Sequence, residues 1–246
     1  MNLKRLHLNL VRLDTVDSTN NYAANLCKLS KMVNGTTILT KRQHNGRGQR
    51  GATWHSEPDK NLIFSTVIYP NLPIKRIFYL NICASISLVK TLNDIGIQAK
   101  VKWPNDIYIE NRKVAGILIE NQLGGNLVQT SVIGVGLNVN QLNFPPDINA
   151  TSLSLEKGIE FELDIIFNQF FGYLDFYLDK LMESNFEFLM SRYYKDFYQL
   201  HEWCRYQDSD GVFNGMITGI DGDGHLLVKQ MDGLKKYSLK EIQFCR

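Results

Sequence analysis

A glycine-rich basic loop holds the residues of this chain whose types could most directly bind an anion. It reads Gly46-Arg47-Gly48-Gln49-Arg50-Gly51, and Trp54 follows it. Glycine lets backbone N–H groups approach an anion closely, and arginine adds charge-assisted hydrogen bonds to phosphate or carboxylate. No Gly-Lys-Ser/Thr closes the loop and no strand leads directly into a helix, so neither a P-loop nor a dinucleotide fingerprint is present. A solvated basic turn is the alternative interpretation.

A second block combines a lysine and an aspartate: Lys102-Trp103-Pro104-Asn105-Asp106, followed by Lys113-Val114-Ala115-Gly116-Ile117-Leu118. If Glu110-Asn111 is a two-residue hairpin turn, Tyr108 pairs with Lys113 and Asp106 faces Ala115. Asp106 and Lys113 are then diagonal neighbours on one sheet face, about 7–8 Å apart at the backbone. Beside Gly116, such a pair forms a charged reaction site. An exposed ion pair on an ordinary hairpin, and a β-bulge at the glycine, are the alternatives.

A third segment, Gly134-Val135-Gly136-Leu137-Asn138-Val139-Asn140, leaves backbone and amide groups available at a strand end. Hydrophobic periodicity predicts the elements that must position all three segments. Strands are expected at 8–14, 36–40, 62–69, 101–109, 114–120 and 127–139, and helices at 74–92, 161–182 and 186–197. Residues 17–19 offer N-cap side chains ahead of a further helix that runs to about residue 29. From about Glu202, short alternating runs separated by glycine turns predict a small β-meander that docks on the main body.

Composition excludes several classes of protein. The 246 residues are 44% hydrophobic and carry a net charge of +2, which excludes disorder and gives no global reason to bind DNA or an anionic membrane. No apolar run is long enough for a membrane span, and four scattered cysteines form no metal or disulfide framework. Residues 40–55 carry +4 and the other 230 carry −2, so positive charge is concentrated at the glycine loop. A soluble, cytoplasmic α/β protein is expected.

Together these segments resemble a biotin–protein ligase. The resemblance rests on Asp17-Ser18-Thr19-Asn20, the glycine loop with Trp54, Asn61-Leu62, the Lys102 to Leu118 block and the Gly134 to Asn140 segment. Their order and spacing match over nearly the whole chain. The implied fold is α/β (α+β): a class II synthetase-like mixed sheet with flanking helices in a catalytic domain at 1–200, then a small SH3-like β-barrel at 201–246.

The resemblance implies an ATP-dependent enzyme, a biotin–[acetyl-CoA-carboxylase] ligase. Such an enzyme forms biotinyl-5′-adenylate from biotin and ATP, with Mg²⁺. It then transfers biotin to a specific lysine of a biotin carboxyl carrier protein domain of a biotin-dependent carboxylase. No DNA or membrane partner is expected, and the chain is expected to be a monomer or a homodimer.

The same resemblance implies roles for individual residues. Catalytic roles fall to Lys113, Arg47 and Asp106. Biotin binding falls to Ser18, Thr19, Asn20, Gln43, Gly46, Arg47, Gly48, Gln49, Lys113, Gly116 and Gly134. Binding of ATP or the adenylate falls to Arg47, Trp54, Lys102, Asn105 and Asn138. The metal ligands are unassigned, with Asp106 as the candidate carboxylate.

Three departures from the family pattern stand out. The catalytic block begins within 20 residues, which leaves no room for the DNA-binding domain of many members, so a repressor role is not expected. Gln49 stands where many members have a second arginine, and we hypothesise that it holds the adenylate less firmly. Asp59 replaces a usual glycine, which we expect a turn to tolerate.

Two rival functions remain open from the sequence. A lipoate– or octanoate–protein ligase shares the implied fold and chemistry, although the glycine loop with Trp54 favours biotin. A non-catalytic biotin sensor or protein-binding module would bind ligand without adenylation, and intact Lys113 and Arg47 count against it.

Overall fold

The computed structural model of this chain describes residues 6–245, apart from the Arg50 side chain. The helices are α1 (Thr19–Leu29), α2 (Phe78–Asp94), α3 (Leu153–Lys157), α4 (Leu163–Met182) and α5 (Phe186–Lys195). The strands of the larger sheet are β1 (Asn9–Val16), β2 (Thr36–Gln43), β3 (Leu62–Ile68), β4 (Leu72–Pro73), β5 (Lys100–Lys102), β6 (Asp106–Ile109), β7 (Arg112–Gly124) and β8 (Leu127–Leu137). The smaller sheet contains β9 (Trp203–Asp208), β10 (Gly211–Ile220), β11 (Leu226–Gln230), β12 (Gly233–Tyr237) and β13 (Gln243–Phe244).

The larger sheet is mixed, as the family resemblance implies. Its order is β1-β2-β3-β8-β7-β6-β5, with β1 and β2 parallel and the other strand pairs antiparallel. β3 is buried along all seven residues because both faces of the sheet are covered. The main core includes Phe64 with α2 and α4, and a second cluster joins Ala23 of α1 to Val67. The expected α/β class with flanking helices is confirmed.

The prediction of one strand over 101–109 is wrong. Two short strands, β5 and β6, occupy this stretch and pair with each other, with Lys102 opposite Asp106. Pro104 has no N–H to donate to a ladder, and the chain reverses direction around it. β6 therefore lies between the edge strand β5 and β7, which places Asp106 beside Gly116.

The predicted hairpin register is correct at the turn and wrong beyond it. Ile109 pairs with Arg112 and Tyr108 with Lys113, but Asp106 faces Gly116 instead of Ala115. A β-bulge inserts Val114 between the paired positions. Because of the bulge, Lys113 and Gly116 lie on the same face of the sheet although they are three residues apart.

The C-terminal sheet curls into a small barrel that docks on the main body, as expected. Its strands run β12-β11-β10-β9-β13, yet Lys235 and Tyr237 of β12 reach across to Asp208 of β9, each at 2.8 Å. The core is continuous between the two parts, and Trp103 Nε1 donates to the Gly224 carbonyl at 2.9 Å. Across residues 6–245, no helix is long and apolar enough to cross a membrane.

Candidate active site

A cavity of about 210 Å³ opens between the start of α1, the glycine loop and the faces of β7 and β8. It brings together thirteen of the sixteen site residues that the sequence analysis names. Those thirteen are Ser18, Thr19, Asn20, Gln43, Arg47, Gly48, Gln49, Trp54, Asn105, Asp106, Lys113, Gly116 and Gly134. The remaining lining residues are Ala52, Thr53, Ile63, Ile117, Leu118, Val135 and Gly136.

One wall of the cavity carries an ion pair between the two strands of the hairpin. Lys113 Nζ lies 2.6 Å from Asp106 Oδ1, and both side chains are partly buried, at 30% and 24% exposure. The same ammonium group lies 5.6 Å from the centre of a Trp54 ring, within range of a cation–π contact. The bulge at Val114 points Lys113 into the cavity, so the wall presents a positive charge beside a carboxylate.

Trp54 packs over a patch of bare backbone on the sheet. Gly116 and Gly136 pair directly across β7 and β8. A Cβ at Gly136 would lie 2.4 Å from Trp54 Cε2, and one at Gly116 would lie 3.2 Å from Cζ3. The ring is half-buried and its Nε1 is buried with no hydrogen-bond partner. Any side chain at Gly136 would therefore displace the indole.

The first turn of α1 forms a polar end of the cavity. Gln43 Oε1 accepts hydrogen bonds from the backbone N–H of Thr19 at 2.8 Å and from its hydroxyl at 3.2 Å. The Ser65 hydroxyl lies 2.7 Å from Thr19 Oγ1 and 2.6 Å from Asn20 Oδ1. Ser18 occupies the N-cap position of α1, but its side chain caps no helical N–H. Hydroxyl and amide groups therefore line this end.

Asn20 and Arg47 meet at one carboxylate, that of Glu120. Asn20 Nδ2 donates to Glu120 Oε2 at 2.8 Å, and Arg47 NH2 donates to Glu120 Oε1 at 2.9 Å. Arg47 NH1 donates to the Asn21 side-chain oxygen as well. A Cβ at Gly134 would lie 2.1 Å from Asn20 Oδ1, so a glycine is needed there for Asn20 to take this position.

The glycine loop closes on itself as a tight hairpin. Trp54 N donates to the Gly46 carbonyl at 2.9 Å, and Gly48 N donates to the Ala52 carbonyl at 2.6 Å. A Cβ at Gly46 would lie 2.4 Å from the Trp54 carbonyl oxygen. Gly46 therefore supports the loop from outside the cavity lining, while Gly48 and Gln49 face the cavity.

Three further residues named from the sequence have structural partners. Asn105, which lines the cavity, donates from Nδ2 to the Ile117 carbonyl at 2.5 Å. Asn138 lies outside the lining, where Nδ2 donates to the Thr151 carbonyl at 3.0 Å and Oδ1 is buried without a partner. Lys102 also lies outside, with its ammonium 4.5 Å from the Tyr108 ring centre and 4.8 Å from that of Phe244.

The sequence reasoning gave no individual role to three residues of this region: Glu120, Ser65 and Gly136, the last of which lies in the segment that it singled out. Glu120 follows Gly116 and Leu118 at a period of two, which places all three on one face of β7 and is the signal that could have found it. Gly136 could have been found as the partner of Gly116, once the pairing of β7 with β8 was known. Ser65 sits beside Thr66 in an otherwise apolar, fully buried strand, and only the three-dimensional contact with Thr19 and Asn20 reveals its place at the site.

Another group of titratable side chains lies in the barrel, away from the cavity. Within the described part of the chain, Asp221, Asp223 and His225 are the one group whose atoms lie close enough together to hold a metal ion. The Asp221 carboxylate accepts backbone N–H bonds from Asp223 and His225, both at 3.0 Å, and is also bonded to the Lys236 ammonium. These contacts give the cluster a structural role. They hold the turn at residues 221–225, whose Gly224 carbonyl accepts the hydrogen bond from Trp103.

Comparison with known proteins identifies the family to which the chain belongs. The family model described as the biotin/lipoate A/B protein ligase family matches residues 13–138, and the biotin protein ligase C-terminal domain matches residues 204–244. The chain is 30% identical to the bifunctional ligase/repressor BirA of Salmonella typhimurium over 238 residues, which cover 95% of this chain and 73% of that protein. It is 29% identical to BirA of Bacillus subtilis over 239 residues, with the same coverage of 95% and 73%.

Solved structures give the same result. The biotin protein ligase from Aquifex aeolicus, solved in complex with biotin and ATP, matches with a TM-score of 0.81 and 27% identity, covering 97% of this chain and 99% of that one. The chain therefore belongs to the biotin/lipoate A/B protein ligase family and is, within it, an enzyme of the biotin protein ligase kind.

Proposed function

We propose that this chain forms biotinyl-5′-adenylate from biotin and ATP in the cavity between α1, the glycine loop and the β7–β8 face. Transfer of the biotinyl group to a lysine of a biotin carboxyl carrier domain follows. The observation that carries the proposal is the arrangement of the cavity: hydrogen-bonding groups at the α1 end and two cations, Arg47 and Lys113, beside it. The same proposal divides the chain into a catalytic domain at 1–200 and a β-barrel at 201–246.

The polar end favours biotin over lipoate or octanoate. A ureido ring offers one carbonyl acceptor and two N–H donors, which Ser18, Thr19 and Gln43 can match. A dithiolane ring or an alkyl chain offers no such groups and would leave buried polar atoms without partners. Sites built to hydrogen-bond a substrate reject an analogue that lacks those groups.

The two cations suit the adenylation step. The biotin carboxylate attacks the α-phosphorus of ATP, forming the carboxylate–phosphate bond while pyrophosphate leaves. Two anions must approach each other, so fixed positive charge stabilises the transition state more than the separated reactants. In this proposal Lys113 and Arg47 supply that charge, and Gly116 and Gly134 let the ligand approach the backbone. Trp54 and Asn105 of the cavity lining are proposed to bind the nucleotide, together with Lys102 and Asn138, which lie outside the lining.

Asp106 is the carboxylate proposed to help hold Mg²⁺. Among the residues that the structure describes, it is the one acidic side chain in the cavity lining, and Mg²⁺ is usually bound through one or two carboxylates together with substrate phosphates. Bound with the nucleotide, Mg²⁺ would neutralise charge on the phosphate oxygens. A single carboxylate in the cavity lining fits this way of binding Mg²⁺, in which phosphate oxygens and water supply the other ligands.

In the second step the acceptor lysine amine attacks the acyl carbon of the mixed anhydride, forming an amide bond as AMP leaves and the amine loses its proton. The anhydride is hydrolysable, so water must be kept out until the carrier arrives. We propose that the glycine loop, with Gly48 and Gln49 facing the cavity, covers the intermediate for that time.

ATP–pyrophosphate exchange tests the first step. The proposal predicts exchange with biotin and none with lipoate or without an added acid. Exchange that requires lipoate would assign the chain to the lipoyl branch of the family. Tight biotin binding without exchange would make it a sensor.

A further inference from the structure

Glu120 joins two parts of the cavity although it does not line the cavity itself. One carboxylate oxygen accepts from Arg47 of the glycine loop at 2.9 Å, and the other accepts from Asn20 of α1 at 2.8 Å. Asn21, the next residue of α1, accepts a second bond from the Arg47 guanidinium. The contacts run between segments 73 and 100 residues apart in sequence.

We propose that Glu120 is a positioning residue, which orients Arg47 toward the ligand anions and fixes Asn20 at the polar end. This role rests on the proposed function of Arg47. Glu120 acts through its two partners and is not expected to touch the substrate.

The donor geometry of arginine allows Arg47 to keep this contact while it binds a ligand. A guanidinium group has five N–H donors in a rigid planar fork. The bonds to Glu120 and Asn21 each use one donor and fix the plane of the fork. The other donors can then face the cavity, and less rotational freedom is lost when a ligand binds.

Asn20 is held from three sides, and Glu120 is one of them. Its side-chain N–H₂ donates to Glu120 and to the Leu118 carbonyl at 3.2 Å, and its oxygen lies 2.6 Å from the Ser65 hydroxyl. Asn20 is almost fully buried, whereas Glu120 is about one-third exposed. A carboxylate at position 120 therefore selects the orientation of a buried amide as well as that of Arg47.

The two cations of the cavity are arranged differently. Lys113 pairs with Asp106, which lines the cavity, so that carboxylate can also meet a ligand. Arg47 pairs with Glu120, which lies behind the lining, so this pair can persist in the complex. Arg47 is therefore oriented before a ligand binds, and the carboxylate that orients it, Glu120, does not line the cavity.

Trypsin cleavage after Arg47 tests the proposal directly in the ligand-free protein. Trypsin must take the Arg47 side chain into its own pocket, so the rate reports how often the guanidinium leaves Glu120. Glu120→Gln keeps the shape and an oxygen for Asn20 but removes the charge, and Glu120→Ala removes both contacts. Cleavage at this bond should rise roughly three- to fivefold in Glu120→Ala, the factor expected for a surface ion pair, and less in Glu120→Gln.

Asp164→Asn is the matched control. It breaks another exposed arginine–carboxylate pair, Arg12 with Asp164 at 2.8 Å, and neither residue lines the cavity. Cleavage after Arg47 should stay at the wild-type rate in this variant. Unchanged cleavage in Glu120→Ala, or an equal rise in Asp164→Asn, would overturn the proposal.

Exchange kinetics provide the second readout. In Glu120→Ala the KM for biotin should rise about fivefold while kcat at saturation changes little, because bound ligands restore the orientation of Arg47 at the expense of their own binding energy. A fall in kcat with an unchanged KM would contradict positioning. If the wild-type protein shows no biotin-dependent exchange, the proposed function fails, and the trypsin result still decides the role of Glu120.

Discussion

At the scale of single residues, Lys113 is the side chain on which the chemistry depends most. Lys113→Ala should lower biotin-dependent exchange by about 10²–10³-fold, as loss of one transition-state charge contact does. The fold should survive, because the Asp106 carboxylate that loses its partner lines an open cavity where water can solvate it. Lys100→Ala, at an exposed position on β5, is the control and should keep wild-type activity. Wild-type exchange in Lys113→Ala would remove Lys113 from the mechanism.

The residue at position 49 is expected to set how firmly the adenylate is held. It faces the cavity from the glycine loop, so an arginine there would add a charge-assisted contact to a bound adenylate. Gln49→Arg should slow release of the adenylate about tenfold in a trapping assay. Gln49→Met keeps the length without the charge and should not slow release. An unchanged rate in the arginine variant would reject the hypothesis.

Residue types and spacing predicted which residues meet at the cavity better than they predicted the contacts that support those residues. Arg47 could be identified because it lies in a glycine-rich loop without acidic residues, and Asp106 and Lys113 because they are charged residues near Gly116 in otherwise apolar strands. Glu120 and Ser65 do not, because their roles come from contacts that span long stretches of sequence. Asp59 adopts a left-handed φ of 60°, which Asp tolerates better than most residues and which explains a usual glycine there.

At the scale of elements, the barrel contains a charge network with a defined pH response. Hydrogen bonds from Lys235 and Tyr237 lower the pKa of Asp208 to about 2, and burial together with Asp208 raises the pKa of Tyr237 to about 12. An unfolded aspartate titrates near pH 3.9, so the stabilisation from Asp208 is complete above about pH 4 and is lost as the pH falls to about 2.

Asp208→Asn should therefore unfold at lower urea concentration than the wild type at pH 7. The difference should shrink as the pH falls from 4 to 2, because the wild-type carboxyl is then protonated as well. Asp210→Asn, at an exposed carboxylate that also contacts Lys235, should have a smaller effect. A difference between wild type and Asp208→Asn that does not vary with pH would contradict this role.

Most elements were predictable from hydrophobic periodicity, and the exceptions have physical causes. An alternating pattern continues through a tight turn, so the 101–109 stretch resembles one strand although Pro104 divides it. A bulge adds one residue without changing the composition of a strand. The sequence therefore did not indicate that Asp106 pairs with Gly116 instead of Ala115. That shift is what sets Lys113 and Gly116 on one face.

At the scale of the whole molecule, the barrel is joined to the catalytic sheet beside the site. Trp103 immediately precedes Pro104 and Asn105, and its indole is bonded to Gly224, 121 residues away in sequence. A Cβ at Gly224 would lie 2.3 Å from Phe78 Cγ, so the turn fits closely against α2. The sequence predicted two parts that dock, but the residues at the contact emerge only from tertiary packing.

The most direct test of the central claim is a competition in one sample. The protein is mixed with Mg²⁺, ATP, pyrophosphatase and equal amounts of biotin and lipoate, and the adenylate in the whole mixture, whether bound or released, is identified by mass spectrometry. The proposed function predicts biotinyl-5′-adenylate. Lipoyl-adenylate, or no acyl-adenylate at all, would contradict it.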